Sequence, residues 1–152
     1  MFYERFAERF PEVGYAETRT ARVTGRRDLS DGNYGFIEMF CTDPACDCRR
    51  AIIQVIEEKA PGDVVATINY GWETPEFYRS WLGGETDDME LAGASLELLG
   101  KQGRHAVALL RLFERLLKDR SYADRIRKHY EMFKGAQRAA PSRRGKRRRR
   151  ND

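Results

Sequence analysis

Ala51-Ile52-Ile53-Gln54-Val55-Ile56, Pro61-Gly62-Asp63 and Val64-Val65-Ala66-Thr67-Ile68-Asn69-Tyr70 together decide the fold. The first and last segments are rich in β-branched and apolar residues, and the last alternates with a period of two, as a half-buried strand requires. Pro61-Gly62-Asp63 between them supplies turn chemistry, so the pair reads as two antiparallel strands with a short link. Upstream, Phe36, Ile37, Met39 and Phe40 form another strand after the turn signal Asp31-Gly32-Asn33, and Thr18 to Val23 forms a weaker one. Consecutive strands with short connections predict an antiparallel meander of three or four strands in the N-terminal half.

The periodicity shifts towards 3.6 on either side of this sheet. Phe2, Phe6 and Phe10 predict a short opening helix stopped by Pro11. Past Gly71-Trp72-Glu73, Thr74 is a good N-cap with Pro75 at the first helical position. Phe77, Tyr78, Trp81 and Leu82 then form an apolar stripe ended by Gly83-Gly84. Ala106, Leu109, Leu110, Phe113, Leu116 and Leu117 mark a longer amphipathic helix. A last helix capped by Ser121 buries Tyr122, Ile126, Tyr130 and Phe133. The expected class is α+β, with the meander sheet packed against C-terminal helices.

A chain of 152 residues suits one domain with a core of its own. Hydrophobic residues at 41% and charged residues at 34% are a globular mixture, and no apolar run approaches the roughly 20 residues of a membrane-spanning helix. The N-terminus lacks the basic, then apolar, then small-residue order of a secretory signal. Three cysteines, an odd number crowded into eight positions, do not make a disulfide framework, so a cytoplasmic location is expected. The net charge of +4 is unevenly distributed. Residues 135–152 hold eight Lys or Arg against one Asp, or +7, which leaves residues 1–134 with 20 basic against 23 acidic side chains, or −3. This divides the chain into an α+β domain over 1–134 and a basic tail over 135–152. With no aromatic or branched apolar residue, the tail is expected to be disordered.

The chemistry-bearing stretch is Cys41-Thr42-Asp43-Pro44-Ala45-Cys46-Asp47-Cys48-Arg49-Arg50, at a junction between predicted strands. Cys46 and Cys48, two apart, point to one face in extended backbone, and a Pro-containing turn folds Cys41 back beside them. Three converging sulfurs suit zinc, which prefers tetrahedral thiolate and imidazole ligands, and Arg49 and Arg50 are expected to favour the ionised thiols. For the fourth vertex, His129 is preferred over His105 because it borders the Tyr122, Ile126, Phe133 stripe. Asp43, Asp47 and water are the alternatives. Two other states fit the spacing: unligated thiols packed as small apolar residues, and a redox pair among the three.

Trp72, Phe77, Tyr78 and Trp81 suit core packing better than a stacking platform for a base. The carboxylates Glu57 and Glu58, and Glu85, Asp87, Asp88 and Glu90, have no placed partner and are not assigned catalysis. Phosphate-loop, dinucleotide and nucleophile motifs are missing from the sequence, so no catalytic residue is named.

Tyr34 to Arg50, Ile68-Asn69-Tyr70-Gly71-Trp72-Glu73 and Lys128-His129-Tyr130 resemble a family of uncharacterised prokaryotic proteins with a Cys-Asp-Cys-Arg-Arg segment. Its members often carry a C-terminal SEC-C motif, a short zinc-binding module also found at the end of the preprotein translocase motor. In that family a basic stretch leads into Asn-Asp-Pro-Cys-Pro-Cys-Gly-Ser-Gly. This chain ends at Arg150-Asn151-Asp152, where the motif would begin, so none of that module's ligands is assigned here.

Two function classes follow. The first is a zinc-stabilised binding or adaptor domain whose tail residues Arg143, Arg144, Lys146, Arg147, Arg148, Arg149 and Arg150 contact the phosphates of nucleic acid or the ribosome through counterion release. The second is a cysteine-based redox protein or metal-dependent enzyme.

Overall fold

The computed structural model describes residues 2–84 and 91–139. The elements run β1 (Tyr3–Arg5), α1 (Phe6–Arg9), α2 (Pro11–Glu17), β2 (Arg19–Val23), β3 (Gly32–Cys41), β4 (Arg50–Glu57), β5 (Ala60–Gly71), α3 (Pro75–Trp81), β6 (Gly93–Leu96), α4 (Ala106–Leu116) and α5 (Arg120–Ala139). The fold is α+β, as expected, and its sheet is antiparallel with six strands. The order is β1-β3-β4-β5-β6, with β2 pairing β3 beyond β1 on the same edge. No helix among the described residues is long and apolar enough to cross a membrane.

Period-two alternation gives the sheet its two faces. Phe36 faces Val55 and Val55 faces Ala66, while Glu38 faces Ile53 and Ile53 faces Ile68. Apart from Glu38, these side chains are fully buried, each contributing about 1.5–3 kcal/mol if apolar and large. Helices α4 and α5 cover this face: Phe113 stacks on Phe36 and meets Tyr70 edge-on, and Phe133 and Tyr130 pack on Phe40.

Several local expectations are corrected. Phe2 to Phe10 is not one helix, because Tyr3–Arg5 pairs with the end of β3, Tyr3 opposite Cys41 and Arg5 opposite Met39. Ladder hydrogen bonds to an otherwise open edge outweigh a weak helical stripe. Pro11 opens α2 rather than ending a helix, at the position where its missing N–H costs nothing. The β4–β5 reversal falls at Glu58-Lys59, and Pro61-Gly62-Asp63 lies within β5, where the partner of Ile56 is Val64 but that of Glu57 is Ala60. The turn-forming triplet is thus looped out of the ladder as a bulge. Strand β6, which lacks a strong strand signal, adds to β5 through Ala94 and Leu96. Helix α3 forms as predicted, with Phe77 N–H donating to Thr74 Oγ1 at 3.2 Å and Gly83 and Gly84 at φ of 81° and 79° ending it.

Helix α5 differs at both ends. Its cap is Asp119, whose Oδ1 accepts from Ser121 N–H at 3.1 Å and Ser121 Oγ–H at 2.8 Å, so Ser121 sits inside the first turn. At the other end the helix runs through Gly135 to Ala139 with Gln137 buried, five residues beyond the domain boundary drawn at residue 134. The remaining tail residues, Arg143 to Arg150 among them, and the carboxylates at 85, 87, 88 and 90 lie outside the described residues.

Candidate metal centre

Cys41 is the last residue of β3 and Arg50 the first of β4, so the cysteine segment is the hairpin connection between two central strands. Strand β1 fixes its start, where Thr42 N–H donates to Phe2 O at 2.9 Å. Asp43 then builds the reversal: its Oδ1 accepts from Ala45 N–H at 2.9 Å and its carbonyl from Cys46 N–H at 3.1 Å across Pro44. Asp43 N–H in turn donates to Cys41 Sγ at 3.4 Å.

The three sulfurs lie within 4.8 Å of one another. Tetrahedral zinc with Zn–S distances of about 2.3 Å holds thiolates about 3.8 Å apart, so closure onto an ion needs a movement of about an ångström or less. Cys41 and Cys48 are fully buried, Cys46 is 9% exposed, and none is in a disulfide. The sequence thus brings Cys41, Cys46 and Cys48 together as predicted.

Three side chains hold the connection in place: Lys134, which sequence reasoning did not single out, and Tyr130 and Tyr78, which it read as core. Lys134 Nζ donates to the carbonyls of Cys41 at 2.8 Å and Asp43 at 2.9 Å. Tyr130 Oη donates to Asp47 Oδ1 at 2.8 Å and accepts from Arg49 N–H at 3.1 Å. Tyr78 Oη donates to Arg49 O at 2.7 Å. The two tyrosines therefore grip both ends of Arg49, a non-glycine residue at φ 48°, a conformation that persists only where the surroundings over-determine it. Gly71 makes room for Tyr78, since a Cβ there would lie 2.6 Å from its hydroxyl and 2.1 Å from Leu91 O. The signal for Lys134 was present in the sequence: it extends the buried spacing Tyr122, Ile126, Tyr130 by one more step of four, and a lysine on such a stripe needs a reason.

The arginines do not act as expected. Arg49 turns to Asp47 at 3.1 Å and Glu73 at 3.4 Å and lies over the Phe77 ring, while Arg50 donates to Asn69 Oδ1 and Tyr3 Oη and lies over Trp81. The aromatic residues around α3 thus frame the connection. Burial, followed by the charges of Cys48 and Cys41, pushes the Cys46 thiol up to about 12. Burial also holds Tyr3 at about 12 against the pull of Arg50, with the three cysteines adding to the rise. Without a cation the Cys46 thiol keeps its proton, so a bound metal must displace it and its affinity must rise with pH.

His129 is buried as predicted, but its ring is used elsewhere. Nδ1 is 2.9 Å from Glu38 Oε1, Nε2 is 2.5 Å from Glu17 Oε2, and the ring stacks on Phe6 at 4.1 Å. With both nitrogens engaged, His129 leaves the ligand set. Its helical stripe foretold its burial, but the partner depended on which strand faced it. His105 precedes α4 and accepts from Arg104 Nε at 3.1 Å. Both carboxylate oxygens of Asp47 are engaged, by Tyr130 and Arg49, and Asp43 Oδ1 accepts from Ala45 N–H. Among the described residues, no His, Asp or Glu joins the three cysteines.

Comparison with protein-family models, with curated proteins and with solved structures finds no match.

The Glu17–His129–Glu38 group has a pH signature of its own. Burial opposes the imidazolium, yet the hydrogen bonds and charges of Glu38 and Glu17 outweigh it and raise the His129 pKa above its ordinary 6.5. Burial raises Glu38, against the His129 hydrogen bond, whereas that hydrogen bond lowers Glu17. A raised histidine contributes stability that is complete below its unfolded value and lost as pH climbs through the folded one. The lowered Glu17 sets the acid limit, its contribution fading as pH falls through its folded value. His129→Gln is expected to cost about 3 kcal/mol near pH 6, with the deficit shrinking as pH is raised well above the ordinary histidine value of 6.5, and to leave metal stoichiometry unchanged. Urea denaturation across that range together with elemental analysis checks this, and metal loss would return His129 to the ligand set.

Proposed function

We propose that this chain is a small zinc-stabilised domain in which a tricysteinate centre ties the β3–β4 connection to α5, and that it serves as a binding or adaptor protein for a polyanion such as nucleic acid or the ribosome. One observation carries the metal assignment: three buried sulfurs within 4.8 Å of one another in a turn whose backbone already donates to one of them. Soft thiolates favour zinc over hard cations, and the burial of the three sulfurs supports a structural ion rather than a catalytic one. The polyanion assignment rests on sequence alone, on eight cationic residues against one acidic residue in 135–152 of a chain otherwise at −3.

Purified full chain is expected to hold one zinc per chain. Cys48→Ser should abolish that zinc and lower the unfolding midpoint, as removing metal from a structural site does. Reversible thiol oxidation in metal-free wild-type protein, with no zinc and no change in stability on chelation, would move the cysteines to redox chemistry.

Binding of full chain to a mixed-sequence RNA or DNA should weaken steeply with salt, since each phosphate neutralised adds about −0.7 to −0.9 to the slope of log K against log salt. Removing residues 140–152 should cut affinity at least tenfold and flatten that slope. Unchanged binding by fluorescence anisotropy would remove the tail from the interface.

A further inference from the structure

Lys134 is 2% exposed, yet its ammonium takes part in no ion pair among the described residues. Its partners are two neutral carbonyls, those of Cys41 and Asp43, and the face of Tyr130 at 5.9 Å. Carbonyls satisfy the N–H donors but not the charge. A desolvated cation without an anion is a costly arrangement, and natural proteins bury lysine almost only when it is paired. Of the two residues whose carbonyls Lys134 grips, Asp43 turns a carboxylate oxygen to Ala45 N–H and Cys41 supplies a sulfur of the cluster, so a loaded centre develops its charge beside Lys134.

We infer that Lys134 is the built-in counter-charge of the tricysteinate centre, and that it makes the site specific for a divalent thiophilic cation. The inference rests on the metal reading above and adds the ion's charge class and a positioning residue. Loading runs as M²⁺ plus three thiols giving M(S)₃⁻ and three protons, with no change of oxidation state. The product bears one negative charge and Lys134 one positive, so the buried pair is neutral. A monovalent ion would leave the same centre at −2 and only half compensated, and a trivalent one would leave it neutral with Lys134 unpaired. The metal-free trithiol also leaves Lys134 without an anion. Metal release should therefore loosen the grip of α5 on the connection as well as the sulfurs, linking occupancy to the last turns of α5, from which the basic tail departs.

Charge and hydrogen bonding are separated by Lys134→Met, which removes both, and Lys134→Gln, which keeps a donor for a carbonyl and removes only the charge. Zinc affinity of the full-length variants, read by competition with a chromophoric chelator, is expected to fall about 10- to 100-fold in both. Arsenite is the control probe, because As(OH)₃ and three thiols give neutral As(S)₃ and three waters. Its affinity should stay within about threefold of wild type. Equal weakening of zinc and arsenite would make Lys134 a tie for the turn and nothing more. Recovery of zinc affinity in Lys134→Gln would assign the effect to hydrogen bonding, and unchanged zinc affinity in both variants would remove any role. Each of these outcomes overturns the inference while leaving the metal site standing, whereas failure of wild type to bind zinc overturns both. If neither variant folds by circular dichroism, amide exchange over residues 130–139 of wild type decides instead. Protection there should drop when zinc is chelated, and unchanged protection would contradict the link.

Discussion

The connection between β3 and β4 occupies residues 42–49 and lies against α5, and it contains too few backbone hydrogen bonds to hold its own shape. Most long hairpin connections escape this by lying on the surface, where water satisfies their polar groups. Here two thiols are fully buried and a third nearly so, and side-chain clamps hold the backbone around them. Lys134 and Tyr130 from α5, and Tyr78 from α3, close on three consecutive parts of the turn. The core of aromatic contacts between Phe40 and α5 sets the distance at which these clamps work, so sheet packing and site geometry are one constraint.

Much of the fold could be read from period and punctuation, because the central strands and the α3 cap obey local rules. Thr74-Pro75 and Gly83-Gly84 delimit α3 where the sequence marks them. The misread elements are those whose state is decided by a distant partner. Tyr3–Arg5 becomes a strand because the end of β3 has an open edge, and Gly93–Leu96 does so because β5, paired with β4 on one side, leaves its other edge open at residues 68–71. Pro61-Gly62-Asp63 reads as a turn in isolation but is carried inside a strand as a bulge, since the two-residue reversal at Glu58-Lys59 adds the Glu57–Ala60 pair to the ladder.

The site divides along the same line. The three cysteines are seven positions apart at most, so their convergence follows from local geometry. The residues around them come from 30 to 90 positions away, beyond the reach of spacing. His129 shows the limit: its burial was legible, but Glu38 and Glu17, from β3 and the end of α2, claim its ring. Lys134 shows the opposite case. A lysine continuing an otherwise buried helical stripe violates hydrophobic patterning, and such violations mark where chemistry outweighs packing.

The central claim is that the three thiols hold a zinc ion in a tricysteinate centre. X-ray absorption at the zinc edge of the purified full chain tests it most directly. The account predicts one zinc with three sulfur scatterers at about 2.3 Å and a single light oxygen or nitrogen scatterer. A zinc-free protein, or a first shell without sulfur, would contradict it.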